Sequence, residues 1–165
     1  TFDDVAGADE AGRGAILGPL VVAGVSAPEN ILKTFTDIGV KDSKRLSSNE
    51  REFLYGKIRK ICRKISIVKL PPSKIDEYVF RRKRLEKLNL LEAEAMASII
   101  RDLRVKRAYV DSCDINPTRF GRLIRKLAGN GVSVRSYHKA DEKYPIVSAA
   151  SIIAKVSIVA FDNFF

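Results

Sequence analysis

The feature that most constrains this chain is the apolar stripe over residues 88 to 103. Leu88, Leu91, Ala95, Met96, Ile99, Ile100 and Leu103 recur at helical spacing and fall on one side of a helix. A stripe this wide needs a second layer to cover it. The flanking segments supply strand patterns. Residues 4 to 9 (DVAGAD) and 19 to 27 (PLVVAGVSA) are short apolar runs rich in valine and alanine. Residues 64 to 70 (KISIVKL) and 132 to 137 (VSVRSY) alternate apolar with polar, and 106 to 111 (KRAYVD) is a strand that stops at an acid. Further helices are predicted at 29 to 37, from the N-cap Ser48 through Cys62, and from Pro72 to about Phe80. Two more are predicted at 117 to 128, before a glycine stop, and from Pro145 to about Val156. The connection at 10 to 18 holds three glycines and adjoins Pro19, which disfavours a helix there. GVKDSKRLS (39 to 47) and RRKR (81 to 84) read as loops.

Two adjacent early strands predict an antiparallel hairpin, and the later strand–helix–strand units predict parallel pairing. The expected fold is a mixed, five-stranded α/β sheet flanked by helices. At 165 residues it fits one domain, and 45% hydrophobic residues exclude a disordered chain. No apolar run approaches the ~20 residues of a membrane span, and the acidic start (Asp3, Asp4) is neither a signal peptide nor a transit segment. Cys62 and Cys113 form no CxxC, which excludes a disulfide framework or zinc knuckle. They are expected to be reduced core residues in a cytoplasmic protein.

Charge is unevenly placed. Residues 41 to 87 carry 16 basic and 6 acidic side chains, the whole net charge of +10, while the remainder balances at 14 of each. A stretch of that sign suits a polyanion, and a solvated helix face is the alternative reading.

Against that background the acids stand out. Asp9 and Glu10 end the first strand, Asp111 ends the fourth, and Asp141 follows the fifth by a few residues. In an open α/β sheet the functional crevice lies beyond the carboxyl ends of the parallel strands. Asp9 and Asp111 meet there if their strands are parallel neighbours. Crowded carboxylates stay ionised only with a counter-cation. Oxygen donors with one histidine in the chain favour Mg²⁺ or Mn²⁺ over zinc. A turn or helix cap is the plain alternative for any one of these aspartates. Asp114 in DINP reads as such a turn acid, and His138 as a structural residue.

The glycines of GADEAGRG (7 to 14) resemble a dinucleotide fingerprint, but Leu17 occupies its third glycine position. No GK[ST] follows for a P-loop. Glycines also let backbone groups approach a ligand closely, and Arg13 between them suits a phosphate.

DEAGRG (9 to 14), GVKDSKRLS (39 to 47), YVDSCD (109 to 114) and HKADEKYPIVSAASIIAK (138 to 155) resemble the archaeal-type ribonuclease HII family, in family order over about 150 residues. The resemblance implies a ribonuclease H-like fold. It implies cleavage of RNA paired to DNA, and incision 5′ of single ribonucleotides in duplex DNA, by two-metal hydrolysis giving 3′-OH and 5′-phosphate ends. It assigns Asp9, Glu10, Asp111 and Asp141 to the metal. Gly12, Arg13 and Gly14 would read the ribose 2′-OH, the group that distinguishes RNA from DNA, and the adjoining phosphate. Lys41, Ser43, Lys44 and Lys139 are candidate contacts to the nucleic-acid backbone. Ser148 and Ser151 are expected to be close-packing residues.

After AAS-IIAK-V the family continues with a polar Arg-Asp helix and a glycine–tyrosine segment, where this sequence has SIVAFDNFF (157 to 165). The expectation is one catalytic domain over 1–165 that lacks the family's C-terminal helical part and exposes Phe161, Phe164 and Phe165. A monomer is expected, and DNFF is too short to stand for the sliding-clamp motif of archaeal-type members. A catalytically impaired nucleic-acid-binding fragment of the same fold remains the alternative function. The DEAGRG loop argues against a purely DNA-directed nuclease.

Overall fold

The computed structural model describes residues 3–12, 18–40, 43–79, 84–129 and 131–162. Its sheet holds β1 (Asp4–Ala11), β2 (Leu20–Pro28), β3 (Lys64–Leu70), β4 (Arg107–Asp111) and β5 (Ser133–Tyr137) in the order β3-β2-β1-β4-β5. β1–β2 and β2–β3 are antiparallel, and β1–β4 and β4–β5 are parallel. This is the mixed five-stranded sheet that the pattern predicts, with a ribonuclease H-like arrangement of helices around it.

Helices cover both faces. Val22, Ala6, Ala8, Ala108 and Val110 pack under α4 (Arg84–Leu103) and α5 (Pro117–Ala128), where Met96, Ile99, Ile100 and Ile124 are fully buried. Val21, Ala23, Val25 and Ala27 pack under α1 (Leu32–Asp37), α2 (Ser48–Ile61) and α7 (Pro145–Asp162). The period of two in β2 sends alternate residues to the two cores. Each fully buried isoleucine, such as Ile152 and Ile153 on α7, contributes about 1.5 to 3 kcal/mol.

α7 lies unusually close to the sheet. A Cβ on Gly7 would sit 2.4 Å from the Ile146 carbonyl oxygen and 2.6 Å from the Val147 nitrogen. Only glycine in the middle of β1 allows that approach. The consequence is functional: the face of α7 carrying Ser151 and Lys155 reaches the ends of the strands.

The boundaries depart from expectation in places. The N-cap of α2 is Ser47, whose side chain accepts from the Glu50 amide at 3.1 Å, so Ser48 is already helical. The spacing Ser47-x-x-Glu50 is that of a capping box. β1 runs past Asp9 because Glu10 and Ala11 still pair with Val22 and Val21 of β2. α4 begins at Arg84, inside the predicted RRKR loop; residues 81–83 lie outside the described residues. α3 (Pro72–Val79) precedes it, and two short elements are new, a 3₁₀ turn at Ser43–Arg45 and α6 (Ala140–Lys143). α7 continues to Asp162, so Phe161 is half-buried against the second core and its ring lies 5.7 Å from Lys69 Nζ. Its predicted exposure is thereby corrected, and Phe164 and Phe165 lie outside the described residues. Neither cysteine forms a disulfide among the described residues, and both are only partly buried.

Candidate active site

Strand pairing builds the centre of the site. β1 and β4 run parallel with Ala8 opposite Val110, so the next residues, Asp9 and Asp111, emerge side by side at the carboxyl ends. Asp141 arrives from the next strand: β5 ends at Tyr137, Lys139 turns through a left-handed conformation (φ 54°), and α6 begins. The Ala140 amide donates to Asp111 Oδ1 at 2.7 Å, which sets the first turn of α6 against β4. One carboxylate oxygen from each of Asp9, Asp111 and Asp141 lies within 4.8 Å of the others. Asp9 and Asp141 are buried, at 4% and 6% exposure.

Asp9 and Asp111 resist ionisation in this setting. Burial pushes Asp9 well above its ordinary value, reinforced by the negative charges of Glu10 and Asp111. Asp111 is pushed up to about 6, first by burial and then by Glu10, against the hydrogen bond from Ala140. The set fits a hard divalent cation, which removes the repulsion and accepts oxygen donors only. Glu10 lies beside this trio, lining the same cleft, and its amide donates to Asp9 Oδ1 at 2.8 Å.

The cleft holds about 340 Å³ and is lined by Asp9, Glu10, Asp111, Asp141, Lys44 and Lys139, together with Ser112, His138, Ser151 and Lys155. Lys44 is exposed at the rim and lies 3.8 Å from Glu142. Ser43 is fully buried, and its hydroxyl lies 3.1 Å from that of Ser151. Gly12 has φ 97°, and a Cβ there would lie 2.3 Å from the Pro19 carbonyl oxygen, so the backbone after the acids turns where only glycine fits. Arg13, Gly14 and Lys41 lie outside the described residues.

Lys155 is an unexpected member of the cleft lining. Its ammonium donates to Ser43 Oγ at 2.9 Å, and burial lowers its pKa while Asp9 and Asp141 pull it back up. The signal was present: Ser151 and Lys155 are four apart on an otherwise apolar helix, and such pairs share a face. Ser148, as expected, serves packing, with its hydroxyl donating to the Val40 carbonyl. Ser151 does both, closing on α7 while lining the cleft.

Asp114 stays out of the metal set. It accepts from the Asn116 amide at 3.1 Å and pairs with Arg119 at 2.6 Å, which holds its carboxyl below the ordinary range. His138 Nε2 donates to the Asp114 carbonyl at 2.6 Å, tying the end of β5 to the turn after β4.

The geometry has counterparts in known proteins. The family model "Ribonuclease HII" matches residues 6–160. Ribonuclease HII of Cenarchaeum symbiosum is 46% identical over 153 residues, covering 93% of this chain and 72% of the relative. The ribonuclease HII of Archaeoglobus fulgidus, solved in complex with PCNA, superposes with a TM-score of 0.84 at 44% identity, over 94% of this chain and 73% of that one. The ribonuclease H2 of Pyrococcus horikoshii gives a TM-score of 0.85 at 42% identity, over 95% and 72%. Sequence, fold and clustered carboxylates agree, and the chain belongs to the ribonuclease HII family.

Proposed function

We propose that residues 1–165 act as one catalytic domain, a metal-dependent endonuclease that cuts the RNA strand of RNA/DNA hybrids and incises 5′ of single ribonucleotides in duplex DNA. The observation that carries this reading is the trio Asp9, Asp111 and Asp141, with ligand atoms within 4.8 Å of one another at the carboxyl ends of adjacent strands.

The trio would hold Mg²⁺ or Mn²⁺, with Glu10 as a fourth carboxylate at its side. When bound, the metal supplies Lewis acidity for hydrolysis of the phosphodiester, leaving 3′-OH and 5′-phosphate ends. The protein's own contributions are positional. Lys44 and Lys139 place positive charge at the cleft where the backbone phosphates of a duplex would enter. Lys155 and Ser151 hold Ser43, so Ser43 fixes the 3₁₀ turn from which Lys44 projects. Gly12, with Arg13 and Gly14, is proposed to bring backbone donors against the ribose 2′-OH and its phosphate. Lys41 is proposed as a further phosphate contact. By relation to the A. fulgidus protein, a sliding clamp is a second proposed partner.

A hybrid labelled on its RNA strand tests the reading. Fragments ending in 3′-OH that need Mg²⁺ or Mn²⁺ and vanish with chelator are expected. An RNA strand left intact under both conditions would sink it.

A further inference from the structure

A second cationic site lies outside the carboxylate cleft. Between Ile115 and Ala140 the chain has no acidic residue, yet it carries Arg119, Arg122, Arg125, Lys126, Arg135 and Lys139. α5 places Phe120, Gly121, Ile124 and Ala128 in the core, which leaves its arginines on the outer face. Arg119 is taken by Asp114. Arg122, Arg125 and Arg135 are exposed, and among the described residues no acidic side chain is ion-paired with them.

These three line one cleft of about 280 Å³, with Pro117, Thr118 and Ser136. Its walls are α5 and β5. Gly121 lets them close up, because a Cβ there would lie 3.1 Å from Ser136 Cβ. The Ser136 hydroxyl is buried in this wall with no hydrogen-bond partner among the described residues. β5 is the outermost strand on this side of the sheet, paired with β4 alone. Its outer backbone amides add donors to the guanidinium groups. The cleft also adjoins the active site along the chain, since residues 134 to 137 line one and residues 138 and 139 the other.

Arg122 and Arg125 on α5 and Arg135 on the edge strand β5 bring positive charge to this cleft from two elements, and an anion with several acceptor oxygens, phosphate above all, matches the forked donors of arginine. We infer that the Arg122–Arg125–Arg135 cleft binds the phosphodiester backbone of the same duplex whose scissile bond lies at the carboxylates, a short way along the strand. The inference rests on the proposed nucleic-acid substrate. It adds a docking point outside the basic stretch at residues 41 to 87.

The test is binding of a fluorescent duplex with one ribonucleotide, followed by anisotropy from 50 to 400 mM salt in chelator. The proteins are the parent, the triple variant Arg122→Gln/Arg125→Gln/Arg135→Gln, and a charge-matched control, Lys33→Gln/Arg104→Gln/Lys106→Gln. Each lost phosphate contact removes about 0.9 from the slope of log K against log salt. The cleft variant is expected to lose about 2 to 3 in slope and to bind at least about tenfold more weakly near 0.1 M salt, while the control stays near the parent. The triple lysine variant at the same positions should recover most of the slope. If the cleft variant and the control behave alike beside a parent that binds, the cleft is no backbone site and the proposed function stands. A folded parent with no salt-dependent binding overturns both.

Discussion

Lys155 Nζ lies 2.9 Å from Ser43 Oγ, and that contact joins the last helix to the basic turn at residues 43–45. The two residues are 112 apart in sequence, and the bond crosses from α7 to the rim of the carboxylate cleft. Lys155 thus does two things: it sets Ser43, and it places a half-buried cation near Asp9 and Asp141.

Replacing Lys155 with Met keeps the length and removes both effects. Turnover on a ribonucleotide-containing duplex should fall roughly 10- to 100-fold, the loss typical of residues that orient a ligand shell. Lys155→Arg should recover part of it, and the melting temperature should move little. Activity within twofold of the parent would show that the contact positions nothing.

Asp9→Asn should separate stability from function. It removes one charge from a crowded set, so the chelated protein should melt higher by roughly 2 to 8 °C, the shift expected from about 1 to 2 kcal/mol in a domain this size. Divalent metal should no longer raise the melting point. A lower melting temperature in chelator would mean that the carboxylates do not repel as their burial implies.

The pH dependence has a definite sign. Asp111 has a folded pKa of about 6 against an ordinary 3.8. A raised acid contributes stability that is fully present below the unfolded value and lost as pH rises through the folded one. The metal-free protein should therefore lose stability between about pH 4 and 6 relative to Asp111→Asn. Metal needs the ionised form, so its affinity should rise through the same window with release of protons. Thermal scans with Mn²⁺ or chelator check this; an equal metal effect at both ends of the window contradicts it.

Gly7→Ala tests how α7 is seated. The new methyl meets backbone atoms of Ile146 and Val147, which have no rotamer to give way. A loss of about 3 kcal/mol or more in urea unfolding is expected. A near-neutral result would mean that α7 slides along β1 without cost.

Much of the fold was legible because each element carries its own period. The stripe of α4 and the alternation in β3 and β5 needed no tertiary information. What stayed hidden was set by contacts distant in sequence. β1 continues past Asp9 because Val21 and Val22 of β2 still offer partners. α6 is four residues long and forms where Ala140 finds Asp111. The acids at the strand ends were readable from parallel pairing, whereas Lys155 looked like a polar residue on an apolar helix. Its role appears only once Gly7 brings α7 against β1.

Cleavage of an end-labelled DNA duplex carrying one ribonucleotide decides whether the carboxylate cleft is a nuclease centre. The arms are Mg²⁺, Mn²⁺ and chelator, beside Asp9→Asn and an all-DNA duplex. One metal-dependent cut on the 5′ side of the ribonucleotide is expected, absent in Asp9→Asn and in the all-DNA control. A folded protein that leaves the ribonucleotide intact in either metal, or that cuts it equally well in chelator, is not a metal-dependent nuclease of this kind.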